Sequence, residues 1–254
     1  MLQITDVPIY HKGPAAAVYD AIAVLSAPSA SLCVSATGAH GLVEAQKDAS
    51  FKKVLQQFYC NLPDGMPLVW VGRAKGFSTM ARCYGPDFFA AVISQTADMK
   101  GVTHFFCGGK PGVAVELQKQ VALRFNNHQV VGTFCPPFSP MKDSDWHALT
   151  TAIESTQASI VWIGLSTPKQ EYFAIELARR TRVHLIVTVG AAFDFYTGLQ
   201  RQAPRWMQQN GLEWFYRLCT EPRRLWRRYL EIVPKFVFYG TADLIKNLLK
   251  RKTA

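Results

Sequence analysis

The chain has 254 residues and a formal net charge of +10; hydrophobic residues make up 49% of it and charged residues 18%. This composition provides for an apolar core and excludes wholesale disorder. The six cysteines occur without a C-x-x-C pair or a tight Cys/His cluster. Their spacing excludes a disulfide scaffold or a zinc site and predicts reduced thiols in the cytosol.

Most of the excess positive charge lies near the carboxyl end. Residues 201–254 hold twelve Lys and Arg against four Asp and Glu, whereas residues 1–200 hold sixteen against fourteen. A basic tail predicts an anionic partner, which is nucleic acid, acidic lipid or a phosphorylated substrate. Residues 1–13 lack a basic segment followed by an apolar one, so we expect no signal peptide. No run of about 18 apolar residues occurs, so we expect no membrane-spanning helix.

Apolar, strand-like runs alternate with amphipathic, helix-like segments along most of the chain. Strands are predicted at residues 32–35, 103–107, 129–133, 159–164 and 184–189. Helices are predicted at residues 42–58, 87–98, 113–126, 144–156 and 169–181. This alternation predicts an α/β fold, a Rossmann-like parallel sheet with helices on both faces. In such sheets ligands bind at the carboxyl ends of the strands.

The alternation ends near Gly198. Residues 204–232 combine Trp, Tyr and Leu with arginines at helical spacings. Such helices are typical of the interface between lipid headgroups and acyl chains. The alternative is a pair of helices that packs its aromatic side chains on the sheet. The two interpretations are compatible, because one face of the helices can pack on the sheet while another contacts lipid. We therefore divide the chain into a Rossmann-like core, 1–200, and a basic aromatic helical appendage, 201–254.

Two of the predicted strands end in glycine-containing turns. Gly108 and Gly109 begin the sequence Gly-Gly-Lys-Pro-Gly, in which Lys110 precedes a predicted helix, and Gly164 ends a later strand. Backbone N–H groups at a helix N-terminus bind phosphate, but a plain strand-to-helix turn explains these glycines equally well. The sequence is neither a Walker A motif nor G-x-G-x-x-G.

Asp64 lies between two prolines in the turn 62–67. Pro-Asp-Gly is itself a turn signal, and composition alone favours that interpretation. The functional alternative is a carboxylate that is held rigidly and serves as a general base.

Further polar residues follow the later strands. The sequence Ser-Thr-Pro at 166–168 predicts an N-cap by Ser166 or Thr167, a role that does not involve Gln170. Asp194 lies just beyond the strand 184–189. His40, in a glycine-containing turn, is a candidate for binding phosphate or sugar hydroxyls.

Asp143 and Asp145 form a D-x-D sequence, which holds a divalent metal in many nucleotide-sugar transferases. Here the sequence immediately precedes a predicted helix, where acidic residues favour the positive end of the helix dipole. We therefore predict that these residues cap the helix.

Taken together, several segments resemble the WecG/TagA/CpsF family of bacterial glycosyltransferases. They stand in family order from about residue 32 to residue 232. The segments are PDGMPLVW (63–70), FFCGGKPGVA (105–114), IGLSTPKQE (163–171), VGAAFDFYTG (189–198) and APRWMQQNGLEWFYRLCTEPRRLWRRYL (203–230).

The resemblance implies an inverting reaction between a UDP-sugar and a polyprenyl-diphosphate-linked sugar, in exopolysaccharide, capsule or cell-wall polymer synthesis. It implies a peripheral protein on the cytoplasmic face of the bacterial plasma membrane, where the appendage docks on the anionic surface and closes over the site. Asp64 matches the family's proposed general base, and Arg82 matches an arginine near the site. Gln170 and Asp194 match positions that contact the donor sugar or uridine.

The resemblance also places three appendage arginines over the donor diphosphate. These are Arg217, Arg224 and Arg227. Their charges would stabilise departing UDP as a metal does elsewhere, so we expect a metal-independent enzyme without a cofactor.

One position departs from the family pattern. Many members carry Thr-x-Asn at the end of the first core strand, whereas this chain reads Ala36-Thr37-Gly38. Thr37 retains the hydroxyl, but the asparagine is missing. We interpret this as a mark of altered donor specificity, for example glucose rather than N-acetylmannosamine.

Two other classes of protein fit parts of the pattern. A non-catalytic Rossmann-like module that binds anionic lipid or nucleic acid would account for the basic tail. Interleaved arginine and tryptophan favour a membrane, so we expect no nucleic-acid partner, although the same composition suits single strands. A dehydrogenase is disfavoured because no G-x-G-x-x-G follows the first strand. The sequence leaves the oligomeric state open.

Overall fold

The computed structural model describes residues 1–252. Its strands are β1 (Leu2–Ile4), β2 (Val7–Ile9), β3 (Leu32–Thr37), β4 (Cys60–Pro63), β5 (His104–Gly108), β6 (Val130–Phe134), β7 (Ile160–Gly164) and β8 (Leu185–Thr188). Its α-helices are α1 (Pro14–Ala23), α2 (Ala39–Lys47), α3 (Ala49–Gln57), α4 (Met66–Ala74), α5 (Gly85–Gln95), α6 (Val113–Phe125), α7 (Asp143–Ser155), α8 (Lys169–Arg180), α9 (Ala192–Tyr196), α10 (Arg205–Gln209), α11 (Glu213–Thr220) and α12 (Pro222–Lys252).

Six strands form a parallel sheet in the order β4-β3-β8-β7-β5-β6. All five predicted strands belong to it, within two residues of their predicted bounds, and the predicted Rossmann-like α/β fold is confirmed. The sequence did not predict the separate antiparallel hairpin of β1 and β2. Its turn consists of Thr5 and Asp6, both at positive φ, rather than the Asn-Gly that signals such a turn.

The core has two halves, one on each face of the sheet. Adjacent residues of a strand point to opposite faces, so Phe105 and Val161 lie in one apolar cluster and Phe106 and Trp162 in the other. Helices α2, α3, α4, α7, α8 and α12 contribute to the first cluster, and α1, α5, α6 and α9 to the second. Because both faces are covered, the strands read as continuous apolar runs.

Two predictions near the amino end were incomplete. The predicted helix 42–58 is two helices, because Asp48 adopts an extended conformation and its carboxylate accepts the N–H of Ser50 at 2.8 Å to cap α3. Strand β4 was missed because its sequence includes Asn61 and Pro63. Proline is tolerated there because β4 is an edge strand.

The appendage consists of α10, α11 and the 31-residue α12. Leu225, Ile232 and Phe236 are buried, and the latter two join the core cluster that also contains helices α2 to α4. No helix within residues 1–252 is both long enough and apolar enough to cross a bilayer. The division into 1–200 and 201–254 stays a prediction, and residues 253 and 254 lie outside the described residues.

Gly108 allows β5 and β7 to end side by side, and its replacement tests this packing. Its φ is +132°, and a β-carbon there would lie 2.6 Å from the carbonyl oxygen of Gly164. We expect Gly108→Ala to lower the free energy of unfolding by about 3 kcal/mol in urea denaturation, because strain and backbone overlap add. Gly101→Ala is the matched control, since Gly101 also has a positive φ but open space around it, and about 1 kcal/mol is expected. Equal losses for both variants would contradict the packing role.

Candidate active site

A cleft of about 500 Å³ lies between the sheet and the appendage. One wall begins at the carboxyl ends of β3 and β4, where Gly38 and Asp64 are found. Residues of α10, α11 and α12 form the opposite wall. Three residues predicted for the site, Asp64, Arg82 and Arg217, line this cleft together.

Asp64 directly follows β4 and is held by the backbone on both sides. Its N–H donates to the carbonyl of Thr37 at 3.1 Å, and its Oδ1 accepts the N–H of Gly85 at 2.7 Å. The other oxygen, Oδ2, faces Gly38. Burial raises the pKa of Asp64 to about 6; Arg82 opposes this shift and Glu213 adds to it. A fixed carboxylate with this pKa is suited to accept a proton near neutral pH.

Arg82 connects Asp64 to the appendage. Its Nε donates to the carbonyl of Asp64 at 2.6 Å, and its terminal nitrogens contact Gln208, at 3.2 Å, and the carboxylate of Glu213. The guanidinium lies 3.9 Å from the ring centroid of Tyr84, whose hydroxyl donates to Glu213 at 2.8 Å. Sequence reasoning identified Arg82 but missed Tyr84 and Glu213, since nothing in the sequence indicates that they meet across 129 residues.

Gln170 lies in a buried polar cluster rather than on the wall of the cleft. Its Oε1 accepts the N–H of Gly190 at 3.1 Å, and its Nε2 donates to Glu171 at 3.0 Å and to Thr167 at 3.2 Å. Burial also raises the pKa of Glu171. Gln170 therefore ties the turn after β7 to the turn after β8. The predicted N-cap by Ser166 or Thr167 is wrong, because α8 begins without a side-chain cap and the Thr167 hydroxyl donates to Glu171.

Thr37 is buried in the sheet, in contrast to the contact with substrate that the resemblance implies. Its hydroxyl lies 3.0 Å from Oγ of Ser35, to which it donates, and 3.3 Å from Oδ1 of Asn61. The residues after it, Gly38 and Ala39, line the cleft without polar side chains. At the position where many family members carry asparagine, this chain therefore has no polar side chain next to Asp64.

The glycines after β5 and β7 pack the two turns against each other. The N–H of Gly109 donates to the carbonyl of Gly164 at 2.9 Å, and the N–H of Val113 donates to the carbonyl of Lys110 at 3.0 Å. These two N–H groups are therefore already paired, and phosphate binding by this turn stays a prediction. Gly108 and Gly164 have packing roles in this turn, whereas Lys110 contributes a positive charge.

Asp194 lies among cations contributed by the core and the appendage. Burial raises its pKa, while Lys110, Arg224 and Arg217 oppose the shift. Nε of Arg217 is buried and has no hydrogen-bond partner among the described residues. Arg224 is half-exposed and pairs with Glu221 at 2.5 Å. Lys110, Arg217 and Arg224 therefore form a cationic group at the carboxyl edge of the sheet.

The fourth member of this group is Arg228, which the sequence analysis missed. Burial lowers its pKa, and Arg224 and Arg217 lower it further. The predicted Arg227 is exposed, with its guanidinium 5.2 Å from the ring centroid of Trp226, and its role at the diphosphate stays a prediction. Neither Arg227 nor Arg228 lines the cleft. Both lie within about one helical turn of residue 224, so helical spacing does not distinguish them.

His40 lies in the wall of the cleft opposite the appendage. Burial lowers its pKa to about 4, and Arg228 lowers it further while Glu44 opposes the shift. The imidazole is therefore neutral at neutral pH and can exchange hydrogen bonds without adding charge.

The D-x-D sequence caps a helix, as predicted. Asp143 and Asp145 lie in the first turn of α7, and the Asp145 carboxylate accepts the N–H of Lys142 at 2.8 Å. In the part of the chain that the structure describes, no three His, Cys, Asp or Glu side chains form a group that could hold a metal ion.

The fold and the cleft place a buried carboxylate, Asp64, at the carboxyl edge of a parallel sheet, which is where α/β enzymes bind their ligands. The model of the glycosyl transferase WecG/TagA/CpsF family matches residues 2–253. The chain belongs to this family of glycosyltransferases. It is also 30% identical to the N-acetylglucosaminyldiphosphoundecaprenol N-acetyl-beta-D-mannosaminyltransferase of Bacillus spizizenii over 194 residues, which are 76% of this chain and 72% of the relative.

Asp64→Asn tests whether the Asp64 carboxylate is buried. Because burial raises its pKa to about 6, from the ordinary 3.8, the wild type loses stability as the pH rises through about 6. We expect the free energy of unfolding of Asp64→Asn, relative to wild type, to increase by about 2 kcal/mol between about pH 4 and pH 8. Asp98→Asn, the same change at an exposed residue, is the control. A difference for Asp64→Asn that does not vary with pH would contradict this assignment.

Proposed function

We propose that this protein is an inverting glycosyltransferase that moves a sugar from a UDP-sugar to a polyprenyl-diphosphate-linked sugar. The main supporting observation is the backbone-held Asp64 carboxylate, whose pKa is raised to about 6 and which lies in a cleft with two arginines, Arg82 and Arg217. Membership in a glycosyltransferase family favours this function over a non-catalytic binding module or a dehydrogenase.

Asp64 acts as the general base in this proposal. Oδ1 is fixed by the N–H of Gly85, so Oδ2, which faces Gly38, accepts the proton of the acceptor hydroxyl. The acceptor oxygen attacks the anomeric carbon from the side opposite UDP, and the bond between that carbon and the diphosphate oxygen breaks. One displacement of this kind inverts the configuration at the anomeric carbon.

Charge develops on the departing diphosphate, and four cations surround the place proposed for it. These are Lys110, Arg217, Arg224 and Arg228. Arg217 retains an unpaired, buried Nε, which is suited to bind a diphosphate oxygen. We propose that these cations stabilise the leaving group without a divalent metal, so that EDTA leaves the activity unchanged.

The donor sugar is proposed from the relative and from one missing side chain. The Bacillus spizizenii relative is named for N-acetylmannosaminyl transfer to N-acetylglucosaminyl-diphosphoundecaprenol, and we propose an acceptor of the same kind. The cleft is lined by Gly38 directly after β3, where many members carry asparagine, and then by Ala39 and His40. UDP-N-acetylmannosamine and UDP-glucose are therefore the two donors to compare first.

A membrane-bound acceptor requires that the enzyme works at a lipid surface. We propose that α12 supplies this contact on the cytoplasmic face of the plasma membrane. Phe238 and Leu248 are 69% and 56% exposed, and Leu230 and Ile245 are exposed as well. Lys235 and Lys246 lie between these apolar residues and Lys250 follows them, a composition that suits anionic headgroups above acyl chains.

Release of UDP from a panel of UDP-sugars tests the proposed reaction. We expect one donor to release UDP in the presence of a polyprenyl-diphosphate-linked N-acetylglucosamine and not in its absence. Asp64→Asn should lower kcat by about 10²-fold, because the acceptor hydroxyl loses its base, while UDP binding stays unchanged. In the wild type kcat/KM should fall below about pH 6 as Asp64 is protonated.

The structure offers a matched control for this assay. Asp98→Asn makes the same chemical change at an exposed position of the core and should retain wild-type kcat. Normal turnover by Asp64→Asn would exclude Asp64 as the base. Absence of UDP release with every donor would refute the transferase reaction itself.

Binding to lipid vesicles tests the proposed contact of α12. We expect the double variant Phe238→Ser, Leu248→Ser to bind anionic vesicles at least about tenfold more weakly than wild type, because two apolar anchors are removed. Leu123→Ser is the control, since Leu123 is a highly exposed apolar residue of α6. Undiminished binding by the double variant would contradict the proposed surface, and stronger retention on heparin than on vesicles would favour a nucleic-acid partner.

A further inference from the structure

The cleft does not end at Asp64 but continues as a groove between α4 and α12. The outer groove is defined here by its lining side chains: Trp70, Val71, Val233, Phe236, Val237 and Leu244, with Gly240 at its floor. Charged residues line the other end of the same cleft: Asp64, Arg82, Glu213 and Arg217. One continuous cavity therefore has a polar inner end and an apolar outer end.

The two helices that enclose the outer groove run side by side in the same direction. A β-carbon on Gly240 would lie 3.3 Å from Cγ2 of Val71, and further along Asp243 pairs with Lys75, which ends α4, at 2.5 Å. Tyr229 of α12 lines the cleft near the polar end. From Tyr229 to Leu244 the helix rises roughly 22 Å, so the groove leads well away from the proposed base.

Gly240 keeps this groove open. Glycine in a helix interior costs about 1 kcal/mol relative to alanine, and the backbone of a helical residue does not need it. At position 240 any longer side chain would project toward Val71 and narrow the space between the helices. The absence of a side chain therefore allows the close approach of the two helices and leaves the cavity beside Val71 and Phe236 clear, rather than allowing a special backbone conformation.

We propose that the outer groove binds the first isoprene units of the polyprenyl-diphosphate acceptor, an inference that rests on the proposed function. A ligand that fits this cavity has a charged or polar head at Asp64 and Arg217 and an apolar tail beside Val233 and Phe236. A nucleotide would leave its polar atoms unpaired against these apolar walls, at a cost for each buried group.

The outer groove also opens toward the surface proposed to contact lipid. Val237 is both a lining residue and 61% exposed, and its neighbour Phe238 is exposed on the outside of α12. A polyprenyl chain in the groove would pass from the active site to the acyl chains of the bilayer without crossing water. This continuity favours a lipid tail anchored in the membrane as the ligand of the groove.

Binding of farnesyl diphosphate tests the groove without requiring catalysis. Trp70 and Trp214 line the cavity, so their fluorescence reports its occupancy, and Trp70→Phe identifies the outer contribution. We expect farnesyl diphosphate to bind wild type at least about tenfold more tightly than inorganic diphosphate, because its methylenes are buried. Equal affinity for the two ligands would overturn the proposal.

Gly240→Leu and Ala242→Leu form a matched pair of variants. Gly240→Leu fills the outer groove and should weaken farnesyl diphosphate binding at least about tenfold, whereas the same leucine at exposed Ala242 should leave it within about twofold. Gly240→Leu raises helix propensity and Ala242→Leu lowers it only slightly, so circular dichroism should show folded protein for both variants. Val237→Gln is a second test at an exposed position, with roughly threefold weaker binding expected. Unchanged binding by Gly240→Leu would overturn the proposal.

Measurements of transferase activity distinguish a failure of the groove assignment from a failure of the proposed function. With a polyprenyl acceptor, Gly240→Leu should raise KM at least about tenfold, and with an acceptor whose diphosphate carries a methyl group in place of the isoprenoid chain KM should remain near wild type. If wild type transfers sugar but Gly240→Leu behaves alike with both acceptors, the groove assignment fails and the proposed function stands. If wild type transfers no sugar to any acceptor, the proposed function fails, and farnesyl diphosphate binding still tests whether the groove accepts a prenyl chain.

Discussion

The contact of Arg82 with both Asp64 and Glu213 joins the two walls of the cleft. The guanidinium is anchored on the Asp64 carbonyl and on the ring of Tyr84, and from there it reaches the carboxylate of Glu213 in the appendage. Partly buried ion pairs of this kind contribute little net stability, because desolvation offsets their attraction. The consequence of this pair is geometric: α11 is held against the turn that presents Asp64.

The same contact controls the charge that Asp64 experiences. An arginine beside a carboxylate normally lowers its pKa, and Arg82 alone would do so here. Glu213 opposes that effect, so burial determines the outcome and the pKa of Asp64 is raised to about 6. Arg217 also lowers the pKa of Asp64, whereas Lys110, Arg224 and Arg228 lie near Asp194 and His40. Asp64 therefore keeps a raised pKa even though two arginines line the same cleft.

The sequence predicted those features of the structure that depend on residues close together in the chain. Buried parallel strands are continuous apolar runs, and five of the six core strands were predicted from them; β4 escaped because Asn61 and Pro63 interrupt its run. Contacts across the chain were not predictable in this way. Whether Thr37 faces the cleft or the sheet depends on Ser35 and Asn61, and the choice between Arg227 and Arg228 depends on how α12 rotates against α2.

Helix α12 has more apolar residues than its packing against the core requires. Leu225, Ile232 and Phe236 are buried and fasten the helix to the core. Phe238 and Leu248 lie further along the same helix, are exposed, and add nothing to that packing. Exposed apolar residues next to basic ones suit contact with an amphiphilic surface. In the proposed function, one helix would therefore combine attachment to the core, a groove that leads from the active site past Gly240, and a surface for lipid.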